Sequence, residues 1–121
     1  MNLNYKIVKA SDYYIPEHIK NQLSTMLELV VNHFNNGNVK YWAYGGILLG
    51  AVRNQGIIPW DDDVDLGCFN RDREKIREIL DEIALRSGID YDVCETYFGY
   101  KLFHKNGKTL YSRGRKLTYT Y

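Results

Sequence analysis

The sequence predicts an α/β domain of the α+β type, in which helices pack on a mixed sheet. Two long segments have apolar residues at every third or fourth position, which is the spacing of an amphipathic helix. Segments rich in β-branched and aromatic residues alternate with them, as expected for strands. The chain has 121 residues, a length typical of one domain. We therefore expect residues 1–121 to form a single domain, with elements in the order α-β-α-β-α-β-β-β.

The first half of the chain predicts two helices separated by a strand. A helix is expected over 15–35, where apolar residues are spaced by three or four and Pro16 lies near the start. Residues 39–44 are rich in strand-forming types and lead into Gly45-Gly46. A short apolar helix is expected directly after these glycines.

The second half predicts one long helix and several strands. A strand is expected at 63–69, and Asn70 is a suitable N-cap for a helix that ends near Gly88. Further strands are expected in four segments: 89–95, 97–104, 109–112 and the segment that starts at 116. Asn106-Gly107 predicts that the second and third of these segments form a hairpin.

Charge is balanced over the chain but unevenly distributed. The formal net charge is +1, which does not favour nucleic acid or an anionic membrane as a partner. No acidic residue follows Glu95, so the C-terminal segment is basic. No segment has the length of a membrane span or the pattern of a signal peptide, and the two cysteines lack the spacing of a disulfide or zinc framework. These features predict a cytoplasmic protein.

Residues 59–66 read Pro-Trp-Asp-Asp-Asp-Val-Asp-Leu and form an acidic cluster. Carboxylates this close together repel one another unless a cation lies among them. Because alternate side chains of a strand point to one face, Asp63 and Asp65 should share a face while the apolar residues beside them enter the core. Asp61 joins that face if the strand begins early. Carboxylate oxygens suit Mg²⁺ or Mn²⁺, so the cluster predicts a metal site.

Four other interpretations of the acidic cluster are possible. An EF-hand loop requires glycine where this chain has Leu66 and glutamate where it has Asp72. A helical Asp-Asp-x-x-Asp motif, as in prenyl synthases, is disfavoured by Pro59 and Gly67 on either side. A solvated acidic loop does not explain why apolar residues are interleaved with the acids. A glycosyltransferase Asp-x-Asp motif, which binds manganese and a nucleotide-sugar, stays open as an alternative.

The Gly45-Gly46 pair lies where a strand is expected to end and a helix to begin. Backbone N–H groups at such a junction can face an anion, and the missing Cβ atoms let a phosphate approach. Arg53, at the end of the short helix, is either a phosphate contact or a surface cation. A glycine turn that holds phosphates and an acidic strand that holds a metal together suit metal-assisted transfer of a phosphate-linked group.

The segment from Tyr44 to Leu66, Tyr-Gly-Gly-Ile-Leu-Leu-Gly-Ala-Val-Arg-Asn-Gln-Gly-Ile-Ile-Pro-Trp-Asp-Asp-Asp-Val-Asp-Leu, resembles the signature of the LicD family. That family includes bacterial phosphocholine transferases and fukutin-type proteins. The resemblance implies a nucleotidyltransferase-like fold and transfer of a phospho-alcohol from a CDP-linked donor to a glycan. It further implies that Gly45 and Gly46 bind the donor phosphates and that Asp63 and Asp65 bind the metal.

The C-terminal part departs from the family pattern. The family's fold usually completes its site with a third acid on a later strand, whereas no acid follows Glu95 here. Asp92 and Glu95 are the candidates for that position, and His104 is a candidate base for the acceptor hydroxyl. The departure predicts a truncated or minimal member of the family. A non-catalytic module that binds a nucleotide or a partner protein is therefore an alternative to the enzyme.

Overall fold

The computed structural model describes residues 16–53, 55, 63–107, 110–112 and 115–117, with the backbone alone at 46, 48, 49, 53, 110–112 and 115–117. The elements in chain order are α1 Glu17–Asn36, β1 Tyr41–Tyr44, α2 Gly46–Arg53, β2 Asp65–Cys68, α3 Arg73–Arg86, β3 Tyr91–Thr96, β4 Gly99–His104, β5 Leu110–Ser112 and β6 Arg115–Leu117. Helices and antiparallel strands are both present, which confirms the α+β class. None of the helices in these ranges is long and apolar enough to cross a membrane.

The strands of the described ranges form three two-stranded antiparallel sheets instead of one mixed sheet. β1 pairs with β2, β3 with β4, and β5 with β6. The hairpin predicted from Asn106-Gly107 is therefore wrong in its pairing, because β5 pairs with the strand that follows it and not with β4. Only two residues separate β5 from β6, and the closure of so short a loop costs less entropy than the closure of a longer one.

The main core forms between α1, α3 and the strands next to them. The buried residues of α1 recur at intervals of four or seven, and α3 packs against α1 through a similar apolar side. The buried residues of this cluster are Val30, Phe34, Val39, Ile79, Leu80, Ile83 and Tyr91. Full burial of one aliphatic or aromatic side chain of this size stabilises the folded state by roughly 1.5–3 kcal/mol. The helices therefore form the stable base on which the β1–β2 sheet rests.

The start of α3 differs from the sequence prediction. Asn70 is not the N-cap of this helix: it begins a 3₁₀ turn, Asn70–Asp72, and the helix starts at Arg73. The backbone N–H of Asp72 donates to the carbonyl of Phe69 at 3.0 Å, which winds these residues into a tight turn before the helix. The helix therefore starts two residues later than an N-cap at Asn70 predicts, and Asp72 precedes it without a side-chain capping bond.

Candidate functional site

The pairing of β1 with β2 brings the glycine turn beside the acidic segment. Tyr44, the last residue of β1, lies opposite Asp65, the first residue of β2. Gly45 follows directly, and a Cβ atom built on it would lie 3.5 Å from Oδ2 of Asp65. The two features that predicted phosphate and metal binding are thus neighbours in space, although α2 and the loop after it separate them in the chain.

The turn itself requires glycine. Gly45 has a φ of +60°, a conformation that costs an L-residue roughly 1–2 kcal/mol. It reverses the chain from β1 into α2, which begins at Gly46. The first N–H groups of a helix have no acceptor within the helix, and the first turn of α2 contains no acidic residue that could occupy them. The free N–H groups at the start of α2 can therefore bind an anion.

Asp63 and Asp65 are both exposed, while the apolar residues between and after them are half-buried. Val64 packs against Ile19 and Leu23 of α1, and Leu66 packs against the main core. The predicted alternation of acidic and apolar side chains is therefore present. The strand is shorter than predicted, however, because it begins at Asp65 and ends at Cys68.

The donor atoms of these two aspartates suit a hard divalent cation. Within the described part of the chain, the Asp65 carboxylate has no hydrogen-bond or ion-pair partner. In the same ranges, no three His, Cys, Asp or Glu side chains are grouped closely enough to hold a metal. Mg²⁺ commonly takes one or two protein carboxylates and completes its shell with water and substrate phosphates. Two exposed aspartates, one of which lies beside the glycine turn, fit that mode of binding.

For three of the predicted site residues, the structure describes the backbone alone or nothing. Asp61 lies outside the described residues. Gly46 and Arg53 are the first and last residues of α2, and the side chain of Arg53 also lies outside what the structure describes. The assignments of Asp61 as a metal ligand and Arg53 as a phosphate contact therefore stay predictions.

The two candidates for a third acid lie on β3, in a different sheet. Glu95 forms an ion pair with Arg73 of α3. Oδ1 of Asp92 accepts the backbone N–H of Val93 at 2.8 Å. Among the residues with described positions, neither acid joins Asp63 and Asp65 in a group able to hold a metal. In this arrangement both acids have partners of their own.

His104, the candidate base, is a packing residue of the β3–β4 sheet. It lies opposite Tyr91, and the two rings meet edge to face with their centroids 4.7 Å apart. Burial lowers the pKa of His104, and the nearby Asp90 carboxylate opposes that shift. Its Nε2 atom is buried without a hydrogen-bond partner in the described residues. His104 therefore belongs to the β3–β4 sheet, whereas the glycine turn follows β1 of the other sheet.

The structure adds aromatic residues that the sequence analysis did not assign to the site. Trp42 lies on the same face of the β1–β2 sheet as Asp65, and its ring contacts that of Phe69 with the ring centroids 5.1 Å apart. The guanidinium of Arg71 lies 4.7 Å from the centroid of the Phe69 ring. Alternation within Tyr-Trp-Ala-Tyr places Trp42 and Tyr44 on one face, which is a signal that the sequence contained.

A model of the LicD/FKTN/FKRP nucleotidyltransferase domain matches residues 38–116. The match includes both strands of the sheet at the site, the glycine turn and all of α3. The chain belongs to this family. The resemblance seen in the segment from Tyr44 to Leu66 is thereby confirmed.

Individual relatives are similar over shorter segments. An uncharacterized protein of Rickettsia typhi is 40% identical over 74 residues, which is 56% of this chain and 24% of the relative. The human ribitol 5-phosphate transferase FKRP is 54% identical over 43 residues, 36% of this chain and 9% of the relative. The lipopolysaccharide cholinephosphotransferase LicD of Haemophilus influenzae is 54% identical over 28 residues, 23% and 11% of the two proteins. The similar segments thus span less than a quarter of each of these relatives.

Proposed function

We propose that this domain transfers a phospho-alcohol, such as phosphocholine, from a CDP-linked donor to a hydroxyl group of a glycan. The observation that supports this most is that Oδ2 of Asp65 lies 3.5 Å from the point a Cβ atom on Gly45 would occupy. A candidate metal ligand is therefore next to the candidate phosphate-binding turn. Family membership supports a nucleotidyltransferase-type site. Relatives named as ribitol 5-phosphate and choline phosphate transferases support a phospho-alcohol as the transferred group.

The residues have separate roles in this proposal. Asp63 and Asp65 would hold Mg²⁺ or Mn²⁺, which when bound neutralises negative charge on the donor diphosphate. The Gly45 turn and the first N–H groups of α2 orient the same phosphates from the other side. Arg53 is proposed as a further phosphate contact, and Asp61 as a further metal ligand.

The chemistry is a displacement at the phosphorus that carries the alcohol. The acceptor oxygen forms a new P–O bond, the bond from that phosphorus to the oxygen of CMP breaks, and CMP leaves. The proton of the acceptor hydroxyl passes to water or to a base. Positioning and charge stabilisation supply most of the rate enhancement in reactions of this kind, so rigid placement of the turn beside the aspartates is the main contribution of the fold.

A non-catalytic nucleotide-binding module is the second candidate. It is favoured by the lack, within the described ranges, of a third acid grouped with Asp63 and Asp65. Loss of one catalytic acid or base typically lowers a rate by about 10²–10⁴-fold while binding can persist. A glycosyltransferase that uses a sugar nucleotide is the third candidate, and family membership favours it least.

One set of measurements separates these candidates. Binding of CDP-choline, CDP-ribitol and UDP-glucose to the purified chain is measured by calorimetry with Mn²⁺ and again with excess chelator. Release of CMP is followed by ³¹P NMR. Manganese-dependent binding of a CDP-alcohol with release of CMP is the expected result. Binding without CMP release selects the binding module, and binding of UDP-glucose alone contradicts the proposal.

Substitution in the glycine turn tests the phosphate role directly. In Gly46→Val, a branched side chain enters the space that the donor phosphate is expected to occupy. Nucleotide affinity should therefore fall by at least roughly tenfold, a larger effect than the change in melting temperature explains. Ala51→Val, at an exposed position of the same helix, is the matched control for the lower helix propensity of valine. Retained affinity in a folded Gly46→Val protein contradicts the phosphate role.

A further inference from the structure

One face of the β1–β2 sheet is covered by the core and the other is open. Tyr41, Leu66 and Cys68 pack against the core cluster. Strand alternation therefore turns the intervening residues outward. The outward-facing residues are Trp42, Tyr44, Asp65, Gly67 and, just after β2, Phe69. The three aromatic side chains among them are 43–63% exposed, which is unusual for residues of this size.

Trp42 is held in a fixed place on this face. It lies opposite Gly67, and a Cβ atom built on Gly67 would be 2.0 Å from Nε1 of the indole and 2.2 Å from Cε2. The indole therefore lies directly over the backbone of β2, in space that any other residue would fill. Phe69 contacts it edge to face. One side of the indole covers Gly67, while 43% of the Trp42 surface stays exposed to solvent.

The backbone position of Trp42 is diagonal to that of the candidate metal ligand. Since Trp42 is opposite Gly67, Asp65 occupies the diagonal position on the neighbouring strand. Diagonal neighbours on one face of an antiparallel pair are about 7–8 Å apart. In a nucleotide, the ribose separates the base from the first phosphate, so a phosphate near Asp65 places the base within reach of Trp42.

The charged groups on this face favour some classes of ligand over others. The Asp65 carboxylate would be costly to bury in a dry protein interface. The Arg71 guanidinium already lies over the Phe69 ring, which makes that end of the face unfavourable for a second cation such as choline. A flat, uncharged ring attached to a phosphate satisfies both conditions.

We infer that Trp42 stacks against the nucleobase of the nucleotide donor, and that Phe69 positions the indole ring for this contact. The inference rests on the proposed function, because it assigns the base subsite of the same donor site. Stacking on an aromatic side chain accepts any base, so Trp42 contributes affinity and not selectivity among nucleotides.

The test uses two ligands that differ only in the base. Calorimetry measures the binding of CMP and of ribose 5-phosphate to the full chain in the presence of Mn²⁺. Trp42→Leu keeps an apolar side chain over Gly67 but removes the stacking ring, and should weaken CMP binding by about 5- to 100-fold. Ribose 5-phosphate affinity should not change. Trp42→Phe should keep most of the CMP affinity.

A matched control lies on the other sheet. Phe98→Leu removes an aromatic ring that is 69% exposed in the turn between β3 and β4, and it should leave CMP affinity unchanged. An equal loss for CMP and ribose 5-phosphate in Trp42→Leu, or no loss for either, overturns the inference. Loss of phosphocholine binding with retained CMP binding also overturns it, since Trp42 would then contact the transferred alcohol.

Fluorescence keeps the test valid if Trp42→Leu does not fold. The chain has two tryptophans, so Trp60→Phe leaves Trp42 as the single indole fluorophore. Saturating CMP should quench this emission, whereas ribose 5-phosphate should not. Binding of CMP without quenching overturns the inference and leaves the proposed function intact. If the unmodified chain binds neither CMP nor a CDP-alcohol with Mn²⁺, the proposed function fails and the inference fails with it.

Discussion

The β1–β2 and β3–β4 sheets differ in how their acidic side chains are satisfied. Beside β3 and β4, Glu95 pairs with Arg73, and Asp90 lies 3.6 Å from Nζ of Lys105. On β2, Asp65 has no such partner within the described residues and lies beside the glycine turn. Acids paired within the chain have a structural explanation, whereas Asp65 at this turn is available to a ligand.

The aromatic residues of the two sheets differ in a similar way. Tyr91 of β3 is buried in the core, and Tyr100 of β4 lies under the guanidinium groups of Arg73 and Arg77. Trp42 and Tyr44 of β1 are instead exposed, next to an acid. The β3–β4 sheet therefore serves mainly to support α3, and the β1–β2 sheet presents an open face.

Removal of both exposed aspartates should have the largest effect. Asp63→Asn with Asp65→Asn removes the two carboxylates expected to hold the cation, so Mn²⁺ affinity should fall by more than the roughly 10–100-fold typical for loss of an outer-shell partner. The protein should stay folded, because both side chains are exposed. Calorimetric titration with Mn²⁺ provides the measurement.

Glu95→Gln is the matched control on the other sheet. It breaks an exposed ion pair, whose loss should change stability little, and should leave Mn²⁺ affinity unchanged. If Glu95→Gln weakens Mn²⁺ binding as much as the double substitution does, Glu95 takes part in the site and the contrast between the two sheets is lost.

A methyl group at Gly67 should have an intermediate effect. Gly67→Ala places its Cβ 2.0 Å from Nε1 of Trp42, so the indole must move. Overpacking of this kind costs about 1–3 kcal/mol, which urea denaturation measures as a lower free energy of unfolding. Trp42→Ala removes the clashing ring, so Gly67→Ala should cost less in that background. Additive effects of the two substitutions would contradict the close packing of Trp42 over Gly67.

The smallest effect is expected from His104, the half-buried histidine of the β3–β4 sheet. Burial lowers the pKa of His104 below its ordinary value of 6.5, so the unfolded chain binds a proton more readily than the folded chain. The contribution of neutral His104 to the free energy of unfolding is fully present above pH 6.5. It should be lost progressively as the pH falls below that value. His104→Phe keeps a ring against Tyr91 and should flatten this part of the pH dependence. Urea denaturation from about pH 8 to about pH 5 measures it, and an unchanged slope would contradict the assignment.

Patterns within single elements were sufficient to predict several local features around the candidate site. Alternation predicted that Asp63 and Asp65 face away from the apolar residues beside them, and the Gly45-Gly46 pair predicted a tight turn between a strand and a helix. Helical spacing predicted the buried side of α1. These features depend on side-chain direction and backbone sterics over a few neighbouring residues, so the local sequence determines them.

Pairing between elements was decided by the tertiary structure. The register that sets Tyr44 opposite Asp65, and the position of Trp42 over Gly67, depend on which distant segments meet. The pairing of β5 with β6 depends on competition between short and long loops. The amino-acid sequence by itself supplied the chemical groups and their local direction. Only the packing of the sheet on the helices placed the acid, the turn and the indole on one face, because that arrangement arises from burial of apolar surface over the whole domain.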